Sequence, residues 1–476
     1  MAAGAPASAQ EATAAAATTA TPAAPEDQSA TVQPSDGRAC DGCPPRRIGT
    51  ALLHTTGINV IYGLANLARG QVTGRITPKS WWANMQTGWV WDLDDFTVNQ
   101  IGHPYQGNNY FNAGRANGLS FYESAAVTAF GSATWEFFGE TNHASLNDFI
   151  NTTLGGITLG EVFHRVGWMM RNTEATGKKR LWSEIGATAV DPITGINRFT
   201  SGDASRVSEK PSDLVPLSLG GVGSAGVLWR GTQGSAFTAS GQPFVELDGY
   251  YGDTNTGRSR TPYDAFWLRM RFGGGSAISE ARVRGRLYGQ PLAKGALQFS
   301  VIQTYNYQTN DAYSTGSQAI DAAIGTTRAL SPRTNFWFLG WGGLTVLGAV
   351  DSLPLGLTEK PEEGEPSAGQ GVSEGPRFYD YGPGSDFGAL ARLTRDGRDI
   401  ALFFYVGRQI YSLDGVRANH FLQQARVDLL FPLRGAIGLG TSAEYFDRRS
   451  YYQDAAGTTQ KFHYPQIRAY LTWRHQ

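Results

Sequence analysis

Four things are scarce in this 476-residue chain, and each scarcity excludes something. Charge is the first: Asp, Glu, Lys and Arg make up 17% of residues, against roughly 25% in an average soluble protein. With aromatics at 12%, that composition excludes a chain disordered throughout. It also excludes a coiled coil, in which Ala, Glu, Lys, Leu and Arg dominate. Net charge is the second: at −1 it gives a nucleic-acid partner no electrostatic support. Apolar runs are the third. A mean hydropathy of −0.29 argues against a polytopic helical membrane protein. Cysteine is the fourth, with only Cys40 and Cys43, in CDGC. Such a pair serves as a redox motif, half a zinc site or a small disulfide loop. Pro44 and Pro45 stand where a redox helix would begin, and neither a second Cys pair nor an HxxxH supplies further zinc ligands. The pair reads as a surface loop, and no metal or cofactor is expected.

Glycine is plentiful, at 60 residues. With the aromatics it points to a large β domain, and the length allows roughly two or three domains. Three segments emerge: 1–45, 46–205 and 206–476. The first is Ala-, Thr-, Pro-, Ser- and Gln-rich and is expected to be disordered, because it has too little apolar surface to offset its ordering entropy. It shows no complete signal peptide. Residues 5–10 (APASAQ) resemble the small-residue end of a cleavage site, so a trimmed export signal and an ordinary low-complexity start both fit.

The middle segment reads as helical. Residues 51–68 carry no formal charge and recur apolar at helical spacing; Gly57 and Gly63 interrupt them. That pattern predicts an interfacial or packed helix rather than a span. Thr77-Pro78 opens a short helix that carries Trp81 and Trp82 and stops at Gly88. The Gly- and Asn-rich stretch 103–118 reads as a loop of specified backbone. Helices are predicted over 119–138 and 145–171, the second opened by a capping box with Ser145 and Asp148. Gly155, Gly156 and Gly160 give it a stripe for close backbone approach.

In the last segment the period changes to two. Val245, Leu247, Gly249 and Tyr251 alternate with Glu246, Asp248 and Tyr250, and Ala281, Val283, Gly285 and Leu287 with Arg282, Arg284 and Arg286. Asp396-Gly397 between two such runs signals a hairpin. Residues 351–377 read as one long acidic loop. Strand candidates lie near 217–230, 233–240, 244–252, 263–273, 279–290, 295–308, 314–328, 335–350, 379–394, 399–412, 419–431, 435–447 and 461–474. Dropping the weakest, 233–240, leaves about twelve, the even number of a closed bacterial barrel. A soluble sandwich would also alternate. Strands of about 10–14 residues, long loops alternating with tight turns, and aromatics near strand ends favour the transmembrane barrel. Tyr250, Tyr251, Tyr263, Tyr288, Tyr451, Tyr452, Phe462 and Tyr464 would form its girdle. Trp473, three residues short of Gln476, departs from the usual terminal aromatic. The predicted fold is therefore α+β: an N-terminal helical module, then an antiparallel transmembrane β-barrel of about 12 strands. The module would plug the lumen or cap its periplasmic mouth.

The stretches FTVNQIGHPYQGNNYFNAGRANGLSFYES (96–124), SATWEFFGE (132–140), SLNDFINTTLGGITLGEVFHR (145–165) and DPITGINRFTSGD (191–203) follow one another in the middle segment. In them the chain resembles a bacterial family of predicted outer-membrane proteins labelled only as a domain of unknown function. The Ser-Leu-Asn-Asp-Phe…Gly-Gly…Gly-Glu pattern also resembles a small group of bacterial lipoproteins. The resemblance implies a helical module ahead of a barrel in the bacterial outer membrane, with membrane lipid as partner, and it implies no activity.

Candidate chemistry sits in and beside those stretches. His103, Glu123, Glu136 and Glu140 are the catalytic candidates, since paired carboxylates with a His can bind a metal or move a proton. Asn109, Arg115, Asp148 and Asn151 are candidates for binding. Arg269 and Arg271 would line the lumen, facing Glu246 and Asp248 if strands 244–252 and 263–273 pair, and Arg284, with Arg282 and Arg286, would extend the same wall as an anion-lined path. The plainer reading makes these groups a buried polar network and a structural ion ladder, with Glu161 and Arg165 an i,i+4 pair. No GxSxG is present, though Ser120 or Ser124 beside His103 would suit a lipid hydrolase. The leading expectation is a structural or transport-related envelope protein. The alternative is a membrane-embedded lipid hydrolase using His103 and a carboxylate.

Overall fold

The computed structural model describes residues 44–475 apart from 92–93, 232–236, 238–239, 254–257, 352–378, 414–416 and 454–456. The CDGC pair and nearly all of the acidic loop lie outside the described residues. Twelve strands close into an antiparallel barrel: β1 Leu219–Arg230, β2 Gln242–Tyr251, β3 Phe266–Gly273, β4 Ile278–Leu292, β5 Leu297–Thr309, β6 Ser314–Ser331, β7 Thr334–Asp351, β8 Tyr379–Arg395, β9 Arg398–Tyr411, β10 Ala418–Pro432, β11 Ile437–Tyr452 and β12 Thr459–His475. Each strand pairs with its sequence neighbours, and β1 pairs with β12. The alternation decides this, because a closed sheet hides every edge while each strand keeps one apolar and one polar face. Asp396 and Gly397, both at positive φ, turn β8 into β9 as the sequence signals. The 233–240 candidate forms no strand among its described residues.

Helices precede the barrel: α1 Ile48–Ala68, α2 Pro78–Thr87, α3 His103–Ala116, α4 Phe121–Phe138, α5 Leu146–Ile150, α6 Gly156–Met170, α7 Gly177–Val190 and α8 Pro192–Ser201. Two departures from expectation matter. Residues 103–116 form a helix, not a loop. The glycines that suggest a loop instead permit close packing: a Cβ on Gly107 would lie 1.8 Å from the Thr152 carbonyl oxygen. The predicted helix 145–171 is broken into α5, a π-helical turn Asn151–Gly155, and α6. Only half of its expected capping box forms. Ser145 Oγ accepts from the Asp148 N–H at 3.3 Å, but the Ser145 N–H donates to Glu136 Oε2 at 2.9 Å. Asp is one methylene shorter than the Glu that usually reaches back.

Strand parity shows where the helices sit. Arg282 on β4 bonds Gln424 on β10, and Arg284 packs on Trp341 of β7, so these positions face one another across the lumen. The helices meet positions of the other parity. Asn99 Nδ2 donates to the Tyr379 hydroxyl (3.0 Å), Gln100 Nε2 to that of Tyr381 (3.1 Å), and the Tyr305 hydroxyl to the Gln100 carbonyl (2.6 Å). Gln303 Nε2 bonds the Leu154 carbonyl, and Arg165 bonds the Tyr251 hydroxyl. Phe96 packs on Tyr307 and Tyr379, and Phe121 on Tyr263. The sequence reading places the module in the lumen or across its mouth. These contacts lie on the outward face of the wall instead, because the wall's own side chains already fill the lumen. The girdle reading changes with it. Tyr251 and Tyr263 are buried under helices, while Tyr250 and Phe462 lie against Arg392 and Arg448.

Candidate functional site

The candidate residues gather in three places. The first is the lumen. Register sets Glu246 opposite Arg271 and Asp248 opposite Arg269, as their spacing predicts once β2 and β3 pair. Arg269 Nε lies 2.8 Å from Asp248 Oδ1, and Arg271 Nε lies 2.7 Å from Glu246 Oε2. Arg468 reaches Glu246 Oε2 at 3.0 Å and Asp428 Oδ1 at 2.9 Å, tying β12 to β2 and β10 over the strands between. Arg284 forms no ion pair among the described residues; its guanidinium lies 3.8 Å from the Trp341 ring centre, with Phe404 beside it. All these arginines are buried. Guanidinium groups taken out of water need carboxylates or aromatic faces, and this lumen provides both.

The second place is a cluster of His103, Glu136 and Asp148 inside the helices. One ligand atom from each lies within 4.8 Å of the others, and all three residues are buried. His103 opens α3, Glu136 closes the last turn of α4, and Asp148 sits in the first turn of α5. His103 Nε2 is 3.6 Å from Asp148 Oδ1, and its Nδ1 is 3.2 Å from Thr152 Oγ1. Thr152 orients the ring so that Nε2 faces the carboxylates. A separation of 3.6 Å exceeds a hydrogen bond yet suits two ligands of one tetrahedral ion, which stand about 3.3 Å apart when each bond is about 2 Å. Asn151, one turn beyond Asp148, is buried, and neither atom of its amide bonds a described residue.

The remaining candidates do not join this cluster. Glu123 caps α4 in a box with Ser120 and pairs with Arg46; those bonds, made against slight burial, hold its carboxyl below the ordinary range. Glu140 lies past Gly139, where α4 ends. Asn109 Nδ2 donates to the Tyr62 hydroxyl and ties α3 to α1. Ser120 and Ser124 lie 16 and 12 residues before Glu136 in the α4 region. At about 1.5 Å per residue, that places even Ser124 about 18 Å along the axis from the cluster.

The third place is a cavity of about 840 Å³ between the helices and the β2–β3 connection. Arg46, Arg115, Arg165, Arg198 and Arg260 line it together with Trp168. Arg115 and Arg165 share Glu161, which the i,i+4 spacing partly predicts. Sequence reasoning missed His164, whose Nδ1 lies 3.3 Å from Asp191 Oδ2. Burial lowers the affinity of His164 for a proton, while the His164 bond and Arg171 hold the Asp191 carboxyl down against its own burial. Nothing in the local sequence links these two; the pairing exists because α6 packs on the α7–α8 turn.

Fold and sites define a class: a closed twelve-stranded antiparallel barrel with a helical N-terminal region docked on it. Residues 88–193, which hold the whole His103 cluster, match the family described as "Domain of unknown function (DUF3943)". No curated protein matches the chain. Among solved structures, the NanC porin is similar at 10% identity and a TM-score of 0.24, with 54% of this chain and 100% of that one covered. The outer membrane protease OmpT from Escherichia coli is similar at 8% identity and a TM-score of 0.19, with 55% and 97% covered. The toluene transporter TodX of Pseudomonas putida is similar at 7% identity and a TM-score of 0.21, with 55% and 90% covered.

Proposed function

We propose that the chain is a bacterial outer-membrane protein with a structural or transport-related role, built from a helical module (46–205) and a barrel (206–476) whose lumen is shut at rest. Membrane lipid is its partner along the barrel wall, where Val245, Leu247, Leu439 and Leu471 stand exposed. One observation carries the reading: arginines reach across the lumen to side chains of distant strands, as Arg282 of β4 does to Gln424 of β10 and Arg284 to Trp341 of β7. Ions crossing such a lumen would first have to separate these contacts. Planar-bilayer recording tests it. The protein, shown folded by heat-modifiable migration, is expected to pass no steady current, and Arg284→Ala to raise open events. A steady conductance from the unaltered chain would refute the closed lumen.

A second reading is favoured by the convergence of His103, Glu136 and Asp148, which fits a centre holding a divalent ion or a shared proton. A nitrogen and two carboxylates suit Zn²⁺ or Mn²⁺ better than Ca²⁺. Metal analysis of protein dialysed against each ion decides between them. One ion per chain, lost in Asp148→Asn, identifies a metal centre. No ion in either chain identifies a proton-sharing network.

A further inference from the structure

The helical layer is built inside out. In α4 the buried residues include Ser124, Thr128, Ser132 and Glu136, and in α1 they are Ala51, Thr55 and Ile58. Phe121, Val127 and Trp135 of α4 are buried with them, but the remaining large apolar side chains of both helices point away from the protein. On α1, Leu53 is 70% exposed, Ile61 67% and Leu64 59%; on α4, Tyr122 and Phe130 are exposed too. A soluble helix reverses this arrangement.

The position of these helices on the wall gives the pattern its meaning. The segment before α3 meets Tyr379 and Tyr381 where β8 begins, and Phe121 after it meets Tyr263 just before β3 begins. β3 and β8 begin at opposite rims, so the module runs along the wall from one rim toward the other; the turn before α6 and α6 itself lie against the strands at Gln303 and Tyr251, and α3 packs on α6 through Gly107 and Gly156. α4 packs beside α3, and α1 lies on both: Asn59 bonds the Gly131 carbonyl and Thr134, and joins the Tyr110 hydroxyl. α1 holds 21 residues, about 31 Å of helix, close to the thickness of a bilayer's hydrocarbon core. Its 21 residues carry no Asp, Glu, Lys or Arg, and neither do residues 124–135 of α4. Charge returns at both ends of the pair: Arg46, Arg47 and Glu123 at one, Arg69 and Glu140 at the other.

We propose that the outer faces of α1 and α4 contact the acyl chains of the bilayer, so that the helical module is embedded in the membrane beside the barrel. The charge-free band of α1 has the height of the hydrocarbon layer, that of α4 is shorter at about 18 Å, and both continue the apolar outer face of the strands. Two kinds of outward strand residue support the same division. On the uncovered arc they are exposed Val, Leu and Phe, such as Leu247, Phe403 and Leu471. Under the helices they include Tyr305, Tyr379 and Tyr381, whose hydroxyls bond helix polar groups. The polar interior then follows from the solvent. In hydrocarbon, a hydroxyl or amide is cheapest when turned inward onto another polar group.

The inference rests on the outer-membrane reading, and its test separates the two. Full-length protein with Cys40→Ser and Cys43→Ser is spin-labelled singly at Leu53→Cys, Leu64→Cys or Phe130→Cys and reconstituted in phosphatidylcholine–phosphatidylglycerol vesicles. Leu471→Cys reports the bare barrel wall, and Lys179→Cys on α7 reports water. Collision with oxygen and with a water-soluble nickel chelate is measured at each site. The three helix labels are expected to match Leu471→Cys: high oxygen and low nickel collision, with the nickel term at least fivefold below Lys179→Cys. Nickel access equal to Lys179→Cys would overturn the proposal. So would protection from both reagents, which would mean that protein, a second copy included, covers the face. Nickel access at Leu471→Cys itself would remove the barrel from the bilayer and the inference with it. Heat-modifiable migration of each variant confirms the folded barrel before labelling.

Discussion

The barrel and the helical layer both turn polar groups inward, and they satisfy them in different ways. The lumen uses full charges. Arg468 holds Glu246 and Asp428 at once, and Arg269 and Arg271 hold Asp248 and Glu246. The helical layer adds neutral groups to its ion pairs: Asn112 bonds Asn108, Asn109 bonds Tyr62, and Thr152 bonds His103. Its buried charges gather at the cavity, around Glu184 with Arg171, Arg180 and Arg198, and in the His103 cluster. Charge pairs set in strands keep their register through the sheet itself. Neutral amides between helices need close backbones, and the glycines of α3 and α6 provide them. The lumen should therefore be intolerant of losing charge, and the layer intolerant of gaining volume.

The largest test of that contrast is Arg468→Ala. It leaves Glu246 and Asp428 buried without their shared guanidinium, at an expected loss of about 3–5 kcal/mol. Urea unfolding in detergent measures it; a loss under about 1 kcal/mol would mean that water already solvates the lumen. A smaller, local effect is expected from Gly107→Val. The new side chain must displace the Thr152 carbonyl and Gly156, which crowd this position in the α3–α6 crossing. An overpacked crossing costs about 1–3 kcal/mol. Proteolysis should cut the helices faster while heat-modifiable migration of the barrel is unchanged. If the barrel fails as well, the two regions fold as one unit.

The smallest effect is a pH dependence at His164 and Asp191. Burial keeps His164 neutral, with its proton affinity below the ordinary value of 6.5. Stability from this group is therefore present above about pH 6.5 and is lost as pH falls toward its lower folded value. Asp191, held below its ordinary 3.8, contributes above that value and loses its contribution on further acidification. Both legs make the helical layer weaker in acid. His164→Gln should flatten the first leg in thermal melts between pH 7 and 5 and, by removing the bond that holds the Asp191 carboxyl down, shrink the second below about pH 4. An unchanged profile would show that the site is already open to solvent.

The strands were legible because alternation is a local property: 244–252 and 263–273 showed their faces, and pairing then put Glu246 and Asp248 on Arg271 and Arg269. The helix α3 was not legible. Gly107, Asn108, Asn109, Asn112 and Gly114 have the composition of a loop, and their helical state depends on what packs against them. The cluster was half legible. Residue type singled out His103, Glu136 and Asp148, but it singled out Glu123 and Glu140 equally. Only the crossing of α3, α4 and α5 separates the first set from the second. Thr152 carried no signal at all, since a hydroxyl that orients a ring looks like any other threonine. The outward placement of the helices was hidden for a similar reason. It is written in strand parity, in tyrosines such as Tyr305 and Tyr381, and parity has no direction until the barrel closes.

That placement also bears on the order of assembly. The helices come before the first strand in the chain, yet the wall they rest on is made by residues from Tyr251 to Tyr381. The segment that leaves the ribosome first therefore has nothing to dock on until the middle strands have formed. Its inverted surface, greasy outside and polar within, would be a hazard in water during that wait. The chain's own order thus requires the wall to form before the helices can dock on it.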